Sequence, residues 1–371
     1  MQLIIERKVF FMGKKSDNAI DQLLLQKVNF LDGNAPGAPV VISSRIRLAR
    51  NIKDIPFPAA GDKASAALTA ELAAAALKKS QALGRKRFSF DLAEMSELDK
   101  NILLERRLVS RELLQSPFAS AVHISGDEKL SVMVNEEDHL RMQVILPGLQ
   151  LKKAWDMINK LDDRLSSELE FDYDPVLGYL TACPSNVGTG IRVSVMLHLP
   201  ALAMNGHIKQ LERALAKLGL TVRGMFGEGS ENLGNLYQIS NQSTLGESEK
   251  EIIDNLGRVI DQVIEHEEAT RQMMLEKNRS KLMDIVGRSY GMLRYGYLLS
   301  SKEAFNSFSG LRLGVDMNLF STLDIKIVNE LFVAVNPGHL QKKVDLELPE
   351  SERDALRSKV VREHLKHLGS A

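Results

Sequence analysis

The chain has 371 residues, 44% hydrophobic and 26% charged, a composition typical of soluble globular proteins. Its 48 basic and 48 acidic residues balance, so the net charge does not indicate a polyanionic partner such as nucleic acid or an acidic membrane. No apolar run is long enough to span a membrane, and one cysteine excludes an internal disulfide or a multi-cysteine zinc site. These features favour a cytoplasmic protein with more than one domain.

The first 39 residues are predicted to form an N-terminal extension and linker, which ends in the helix-breaking stretch LDGNAPGAP. The start, MQLIIERKVFFMGKKSDN, has no signal-peptide cleavage pattern and is expected to be irregular, with Met12 as an alternative start. Residues 40–245 mix strands and helices, which predicts one α+β domain. Strands are predicted where apolar and polar residues alternate: VVISSRIRLARN, RVSVMLHL and both sides of the turn in LSVMVNEEDHLRMQVIL.

Four helices are predicted in the same domain. ASAALTAELAAAALKKSQALG combines strong helix formers with a terminal glycine, and SELDKNILLERRLVSRELL begins with Ser96 as a cap. LQLKKAWDMINKLDDRLSSELE has the helical period, and another helix is predicted near 201–218. From 246 to 371, a series of helical segments that begins with Ile252, Leu256, Val259 and Val263 predicts a separate all-α domain.

Arginines are predicted on a polar face of the sheet. Because side chains alternate along a strand, Arg45 and Arg47 share one face, Arg192 shares a face with Ser194, and Arg141 begins a third strand in the same way. A planar guanidinium matches phosphate oxygens two at a time, so such a face is a candidate triphosphate site, with a solvated sheet face as the alternative. Neither G-x-x-x-x-G-K-[ST] nor G-x-G-x-x-G at a strand-to-helix turn occurs in the sequence.

Two segments carry candidate catalytic carboxylates. The turn NEED, residues 135–138, lies next to Arg141, and a carboxylate near a phosphoryl-transfer site can orient or deprotonate a nucleophile. The glycine-rich stretch RGMFGEGSENLG places Glu228 five residues after Arg223, in a loop suited to closing over a substrate. Taken singly, each segment is equally typical of a solvated loop.

Four stretches together resemble the phosphagen (guanidino) kinases over about residues 40–245: SSRIRLARN, NEEDHLR, CPSNVGTGIR and RG…GE…YQISNQSTLG. The resemblance implies an antiparallel sheet flanked by helices, here followed by an all-α domain, with ATP and Mg²⁺ as the donor and a guanidinium nitrogen as the acceptor. It implies that Glu137 aligns and deprotonates the guanidinium, that Glu228 is a second carboxylate and that Cys183 lies beside the acceptor. The nucleotide-binding residues it implies are Ser43, Ser44, Arg45, Ile46, Arg47, Arg141, Arg192, Val193, Ser194, Val195, Met196, Arg223, Gly224, Met225, Phe226, Gly227 and Glu228.

The acceptor is expected to be a protein. Small-molecule guanidino kinases carry a helical domain before the SSR motif, whereas only 42 residues precede Ser43 here. The C-terminal stretches LLSSKEAFNSFSGLRLGVDM and NPGHLQ resemble the bacterial protein-arginine kinases. That resemblance implies a homodimer that marks proteins in a stress response, together with a Clp-type unfoldase–protease, a zinc-binding activator protein and a heat-shock repressor. A kinase for free arginine and a catalytically dead phosphoarginine-binding adaptor are the alternatives.

Two further features concern single arginines. In SERDALRS, Arg353 and Arg357 lie one helical turn apart with Asp354 beside the first. The resemblance implies phosphoarginine docking and regulation there, although Ser358 replaces the family's alanine, and a charged helix face is the alternative. In LLERRLVS, Arg107 stands where many relatives have a histidine, and its role is left open.

Overall fold

The computed structural model describes residues 19–224, 232–320 and 323–366, so the predicted irregular start lies outside the described residues. Within them, eight strands form one antiparallel sheet and two short strands form a hairpin. The strands are β1 Val41–Arg50, β2 Arg87–Asp91, β3 Ala121–Ser125, β4 Leu130–Val134, β5 Leu140–Pro147, β6 Tyr173–Asp174, β7 Gly178–Tyr179, β8 Ile191–His198, β9 Leu220–Gly224 and β10 Leu236–Asn241. The order across the sheet is β2-β3-β4-β5-β1-β8-β10-β9, which puts β1 between β5 and β8.

Helices flank the sheet and make up the C-terminal region of the described chain. They are α1 Ala19–Leu24, α2 Lys63–Ser80, α3 Glu97–Glu105, α4 Arg111–Leu114, α5 Leu151–Ser166, α6 Pro200–Met204, α7 Ile208–Ala216, α8 Glu249–Lys277, α9 Arg279–Tyr295, α10 Ser301–Asp316, α11 Ile325–Ala334, α12 Pro337–Val344 and α13 Glu350–Leu365. Ser96 caps α3 as predicted, because its hydroxyl accepts a hydrogen bond from the backbone N–H of Asp99 at 3.1 Å.

Three helix predictions differ from the structure. The helix predicted from Ser96 breaks into α3 and α4, and the one near 201–218 breaks into α6 and α7 around Gly206, which has φ of 73°. α2 ends at Ser80, where Gln81, with φ of 49°, takes the left-handed cap conformation that the sequence suggested for Gly84. Local helix propensity runs through these breaks because it does not contain the tertiary contacts that bend the chain.

The main core lies on one face of the sheet. Ile46, Val193 and Val195 are fully buried there, and α2, α5 and α8 pack over them. Each such side chain contributes roughly 1.5–3 kcal/mol through burial. The first long helix after residue 246 therefore packs directly on this sheet. This arrangement confirms the predicted antiparallel sheet flanked by helices.

The helical C-terminal region covers part of the opposite face. Its core, built around Phe305, Phe308 and Phe332, includes Ile145 and Met196 from the sheet. Ile145 lies two residues beyond Gln143 on β5, and Met196 lies two beyond Ser194 on β8. The face that carries arginines is thus packed by helices at one end and remains open at the other.

Candidate active site

The register of the strands brings the predicted arginines onto one face. Arg47 pairs with Arg192 across β1 and β8, and Arg45 pairs with Ser194. On the other side of β1, Arg47 pairs with Gln143 of β5. Cross-strand partners in an antiparallel sheet point to the same face, so the shared face inferred from alternation is confirmed.

These arginines line a cavity of about 390 Å³. The guanidinium-bearing residues around it are Arg45, Arg47, Arg107, Arg111, Arg192 and Arg223. Burial, reinforced by the charges of Arg107, Arg141 and Arg192, lowers the pKa of Arg45 to about 9. Burial and the charge of Arg141 also lower the pKa of Arg47 well below its usual range. Such crowding of like charges is relieved when a polyanion binds, because each phosphate oxygen compensates the nearby cations.

Neutral side chains orient the arginines without cancelling their charge. Arg45 donates to the Gln238 side-chain oxygen at 2.6 Å, and Arg192 donates to the Ser240 hydroxyl at 3.1 Å. Nε of Arg47 is buried and has no hydrogen-bond partner among the described residues. A buried donor of this kind is costly unless a ligand accepts from it. Gln238 and Ser240 were not singled out in the sequence, although alternation in LYQISN places them on one face.

The other predicted nucleotide-binding residues fall into three groups. Ser43, Ser194 and Met196 lie on the arginine side, beside a small neighbouring void. The side chains of Ser44, Ile46, Val193 and Val195 are buried away from the cavity; the Ser44 hydroxyl donates to the Gly148 carbonyl at 2.8 Å. Arg223 and Gly224 line the cavity, whereas Met225, Phe226, Gly227 and Glu228 lie outside the described residues.

The three carboxylates of the NEED turn differ in burial and in their hydrogen-bond partners. Glu136 is buried and accepts hydrogen bonds from Arg141 and Ser110. Burial disfavours the charge of Arg141, but the nearby carboxylates, chiefly Glu136 through its charge and its hydrogen bond, raise the pKa of Arg141. Asp138 is also buried, and its Oδ1 accepts a hydrogen bond from the Asn51 side-chain amide. Glu137 is the exposed carboxylate of the turn.

Glu137 and Cys183 lie together at the surface. A side-chain hydrogen bond links Glu137 to Cys183, whose Sγ is 3.0 Å from the Ser185 hydroxyl. Asp138 accepts from the backbone N–H of Ala182 at 2.7 Å, which fastens the turn to the cysteine segment. Partial burial of the carboxyl group, reinforced by the charge of Asp138, raises the pKa of Glu137. A carboxylate with a raised pKa is a better proton acceptor than an ordinary surface glutamate.

Comparisons with known proteins agree with this geometry. Residues 69–270 match the family model of the ATP:guanido phosphotransferase C-terminal catalytic domain, and residues 279–371 match that of the protein-arginine kinase McsB C-terminal domain. The chain is 44% identical over 343 residues to a protein-arginine kinase of Pelotomaculum thermopropionicum, covering 92% of this chain and 96% of that protein. This chain belongs to the protein-arginine kinase family. A Brevibacillus brevis protein-arginine kinase is 43% identical over 341 residues, 91% of this chain and 95% of that protein.

Solved structures of guanidino kinases share the fold. The lombricine kinase crystal structure superposes with a TM-score of 0.54 at 24% identity, over 72% of this chain and 77% of that chain. The duplicated taurocyamine kinase of Schistosoma mansoni with bound transition state analog components gives 0.54 at 25% identity, over 76% and 42%. The predicted family and fold class are therefore confirmed.

The break between α3 and α4 places Arg107 in the cavity. Arg106 turns away into a buried ion pair with Glu128 at 2.6 Å, and Arg107 follows with φ of 61°. The Arg107 guanidinium lies 5.3 Å from the centre of the Phe30 ring, a cation–π contact. Burial lowers the pKa of Arg107 to about 10. The residue that the sequence left open thus joins the arginine cluster.

The three residues predicted to dock phosphoarginine lie on α13 and differ in exposure. Arg357 is buried and donates to the carbonyls of Val335 at 3.1 Å and Leu299 at 2.7 Å, and to Asp354. Arg353 is half-buried and donates to the Leu348 carbonyl at 2.8 Å. Arg357 therefore fastens α13 to its neighbours, while Arg353 and Asp354 remain accessible.

His139, in the turn before β5, and His198, at the end of β8, have structural partners. His139 accepts from the N–H of Ile52 at 3.0 Å, and His198 is fully buried with Nε2 2.8 Å from the Ser309 hydroxyl. No group of three potential metal-ligating side chains occurs among the residues that the structure describes. Nor does any helix in the described ranges have the length and apolarity needed to cross a membrane.

Proposed function

We propose that this chain transfers the γ-phosphoryl group of ATP to arginine side chains of proteins. The observation that carries the proposal is the junction at the NEED turn. Glu136 accepts a hydrogen bond from Arg141 of the arginine-bearing sheet. The next residue, Glu137, forms a side-chain hydrogen bond with Cys183. Groups suited to binding phosphate and groups suited to handling a guanidinium are thus joined by one tight turn.

The arginine-lined cavity would hold the phosphates of ATP. Its cations fit a polyanion, and the buried Nε of Arg47 lacks an acceptor that a phosphate oxygen can provide. Mg²⁺, when bound with ATP, supplies charge neutralisation across the phosphate oxygens.

Glu137 would act as the proton acceptor. A guanidinium keeps its proton at neutral pH because its pKa is far higher, and in that form it has no electron pair with which to attack phosphorus. Transfer of one N–H proton to the Glu137 carboxylate frees the pair, which forms the N–P bond while the bond from the γ-phosphorus to the bridging oxygen breaks and ADP leaves. Cys183 lies beside Glu137, where its sulfur can contact the acceptor guanidinium. By family likeness, Glu228 adds a second carboxylate.

Protein acceptors are favoured over free arginine by the family relationship. Both the catalytic and the C-terminal regions match, and the relatives named above are protein-arginine kinases. The kinase for free arginine remains the second candidate. The dead adaptor is the weaker alternative because the described arginines and Glu137 are all present and grouped.

The cellular setting is the family-derived part of the proposal. It comprises a cytoplasmic homodimer, a role in stress response, a zinc-binding activator protein, a heat-shock repressor and delivery of marked proteins to a Clp-type unfoldase–protease. The proposed domain division remains 1–39, 40–245 and 246–371.

Phosphoarginine docking at α13 would regulate the enzyme. Arg353 and Asp354 offer accessible groups of opposite charge. Arg357 contacts Val335, which adjoins Asn336 in the cavity wall. A ligand that disturbs Arg357 would therefore act close to the nucleotide.

An acceptor comparison tests the proposed activity. The chain is incubated with Mg-ATP and, separately, free arginine and unfolded casein, and phosphate is mapped by mass spectrometry under conditions that preserve acid-labile N–P bonds. Phosphate on casein arginines is expected. Phosphate only on free arginine would support the small-molecule kinase, and none on any arginine, with an activator present, would support the adaptor.

A matched pair of variants tests the role of Glu137. Glu137→Gln should lose at least roughly 10²-fold in transfer, because no proton acceptor remains, yet keep ATP affinity. Glu170→Gln changes an exposed carboxylate that pairs with Lys53 at the surface and should alter neither. Equal loss of transfer and ATP binding in Glu137→Gln would contradict the assignment.

A further inference from the structure

One side of the cavity is cationic, and the other side carries uncharged groups around the carboxylate of Glu105. The sheet supplies the cationic part through Arg45, Arg47, Arg192 and Arg223. The end of α3 and the turn before α12 supply the uncharged residues Asn101, Leu104, Asn336 and Pro337. Amide groups beside aliphatic surface suit a nucleobase and ribose, whereas phosphates favour the guanidinium groups.

Glu105 holds the turn before α12 in place. One carboxylate oxygen accepts from the N–H of Gly338 at 2.7 Å, and the other accepts from the N–H of His339 at 3.0 Å and lies 2.6 Å from His339 Nδ1. These N–H groups lie in the first turn of α12, where a helix offers no backbone acceptor of its own. A carboxylate in the wall of a phosphate-binding cavity is unfavourable unless its charge is compensated, and the α12 N-terminus compensates that of Glu105.

The close contact explains the sequence NPGHLQ, to which the catalytic proposal gives no role. A Cβ at Gly338 would lie 2.9 Å from one Glu105 carboxylate oxygen and 3.0 Å from the other, so a side chain there would force the Glu105 carboxylate to shift. Pro337 occupies the first helical position, where a missing N–H costs nothing. Lys342, one turn further along α12, pairs with Asp99 of α3 at 2.9 Å. The two helices are therefore joined at both ends of their contact.

We propose that the Asn336–Pro337 turn of the C-terminal region, held by Glu105, forms the wall that binds the nucleoside part of ATP. Glu105 is a positioning residue: it acts on the nucleotide through the turn. The inference rests on the proposed use of ATP. It makes the helical region part of the nucleotide site.

Binding of ATP and of inorganic tripolyphosphate, each with Mg²⁺, separates nucleoside contacts from phosphate contacts. Titration calorimetry on the full chain should show about tenfold weaker ATP binding for Glu105→Gln, since the side-chain amide cannot accept at both positions. Pro337→Ala, at an exposed position, should weaken ATP binding about threefold through lost apolar contact. Tripolyphosphate affinity should stay within about twofold of the parent chain for both variants, because neither changes an arginine.

Glu97→Gln is the matched control on α3. Glu97 pairs with Lys100 at the surface, so this change should leave both affinities unchanged. Pro337→Ala decides the result if Glu105→Gln proves unstable in a thermal melt. Unchanged ATP affinity in folded variants, or equal losses for both ligands, would overturn the wall assignment while leaving the kinase function intact. Failure of the parent chain to bind ATP would overturn both.

Discussion

Replacing Arg47 with methionine should stabilise the nucleotide-free protein while weakening ATP binding. Arg47 is half-buried and carries its charge among other arginines, and its buried Nε has no partner among the described residues. Neighbouring Arg45 sets the scale: the lowering of its pKa from its ordinary value to about 9 corresponds to a penalty of up to roughly 5 kcal/mol for holding the charge there. Since solvent and side-chain relaxation reduce such values, we expect Arg47→Met to raise the free energy of unfolding by about 1–3 kcal/mol.

Binding should change in the opposite direction. Loss of a charged hydrogen-bonding group to phosphate costs about 1.5–3 kcal/mol, or roughly 10- to 100-fold in ATP affinity. Thermal melts with and without Mg-ATP, together with calorimetry, measure both effects on one preparation. We expect the melting temperature of Arg47→Met to rise by roughly 2–6 °C without nucleotide and to respond less to ATP.

Arg50 on the same strand is the matched control. It is buried in a two-bond ion pair with Asp162, at 3.1 and 2.7 Å. Arg50→Met removes the cation that compensates the Asp162 carboxylate and should lower the free energy of unfolding by about 3–5 kcal/mol. If Arg47→Met destabilises the nucleotide-free protein as Arg50→Met does, the argument from an uncompensated charge is wrong.

Three further predictions concern other parts of the site. Asp138→Asn should move the acid limb of the pH–rate profile to lower pH, because Glu137 must be unprotonated to act and the Asp138 charge raises its pKa; an unmoved limb would argue against Glu137 as the base. Arg107→Ala should raise the KM for ATP roughly tenfold; an unchanged KM in steady-state assays would place Arg107 outside the site. Arg353→Ala should abolish phosphoarginine binding without lowering the melting temperature, whereas Arg357→Ala should lower it by several degrees because two buried carbonyls lose their donor; retained calorimetric binding in Arg353→Ala would identify SERDALRS as an ordinary helix face.

Strand alternation was sufficient to predict the arginine face. Arg45 and Arg47 must share a face because the side-chain period of a strand is two, and the same holds for Arg192 and Ser194. The register between neighbouring strands cannot be predicted from the sequence of either strand alone. It follows from the pairing of β1 with β5 and β8, which sets Arg47 opposite Arg192 and so concentrates the charge.

Contacts between distant segments were beyond the reach of local patterns. NEED presents three adjacent carboxylates that look alike in sequence, but burial and pairing separate Glu136 and Asp138 from exposed Glu137. Arg107 enters the cavity only because Arg106 is drawn into its ion pair with Glu128 and the helix ends. The helical sequence pattern across these positions does not indicate that Glu128 will pair with Arg106.

The sequence by itself determined the strands, most helices, the arginine-bearing face and the resemblance to guanidino kinases, because these depend on residue type and on periods of two or 3.6. Only the tertiary structure decided which arginines crowd together, which carboxylate remains available and which C-terminal turn closes the cavity. The physical reason is that charge, burial and hydrogen bonding at a site depend on distances between residues far apart in the chain. Gly338 and Glu105 are separated by 233 positions yet meet at 2.7 Å.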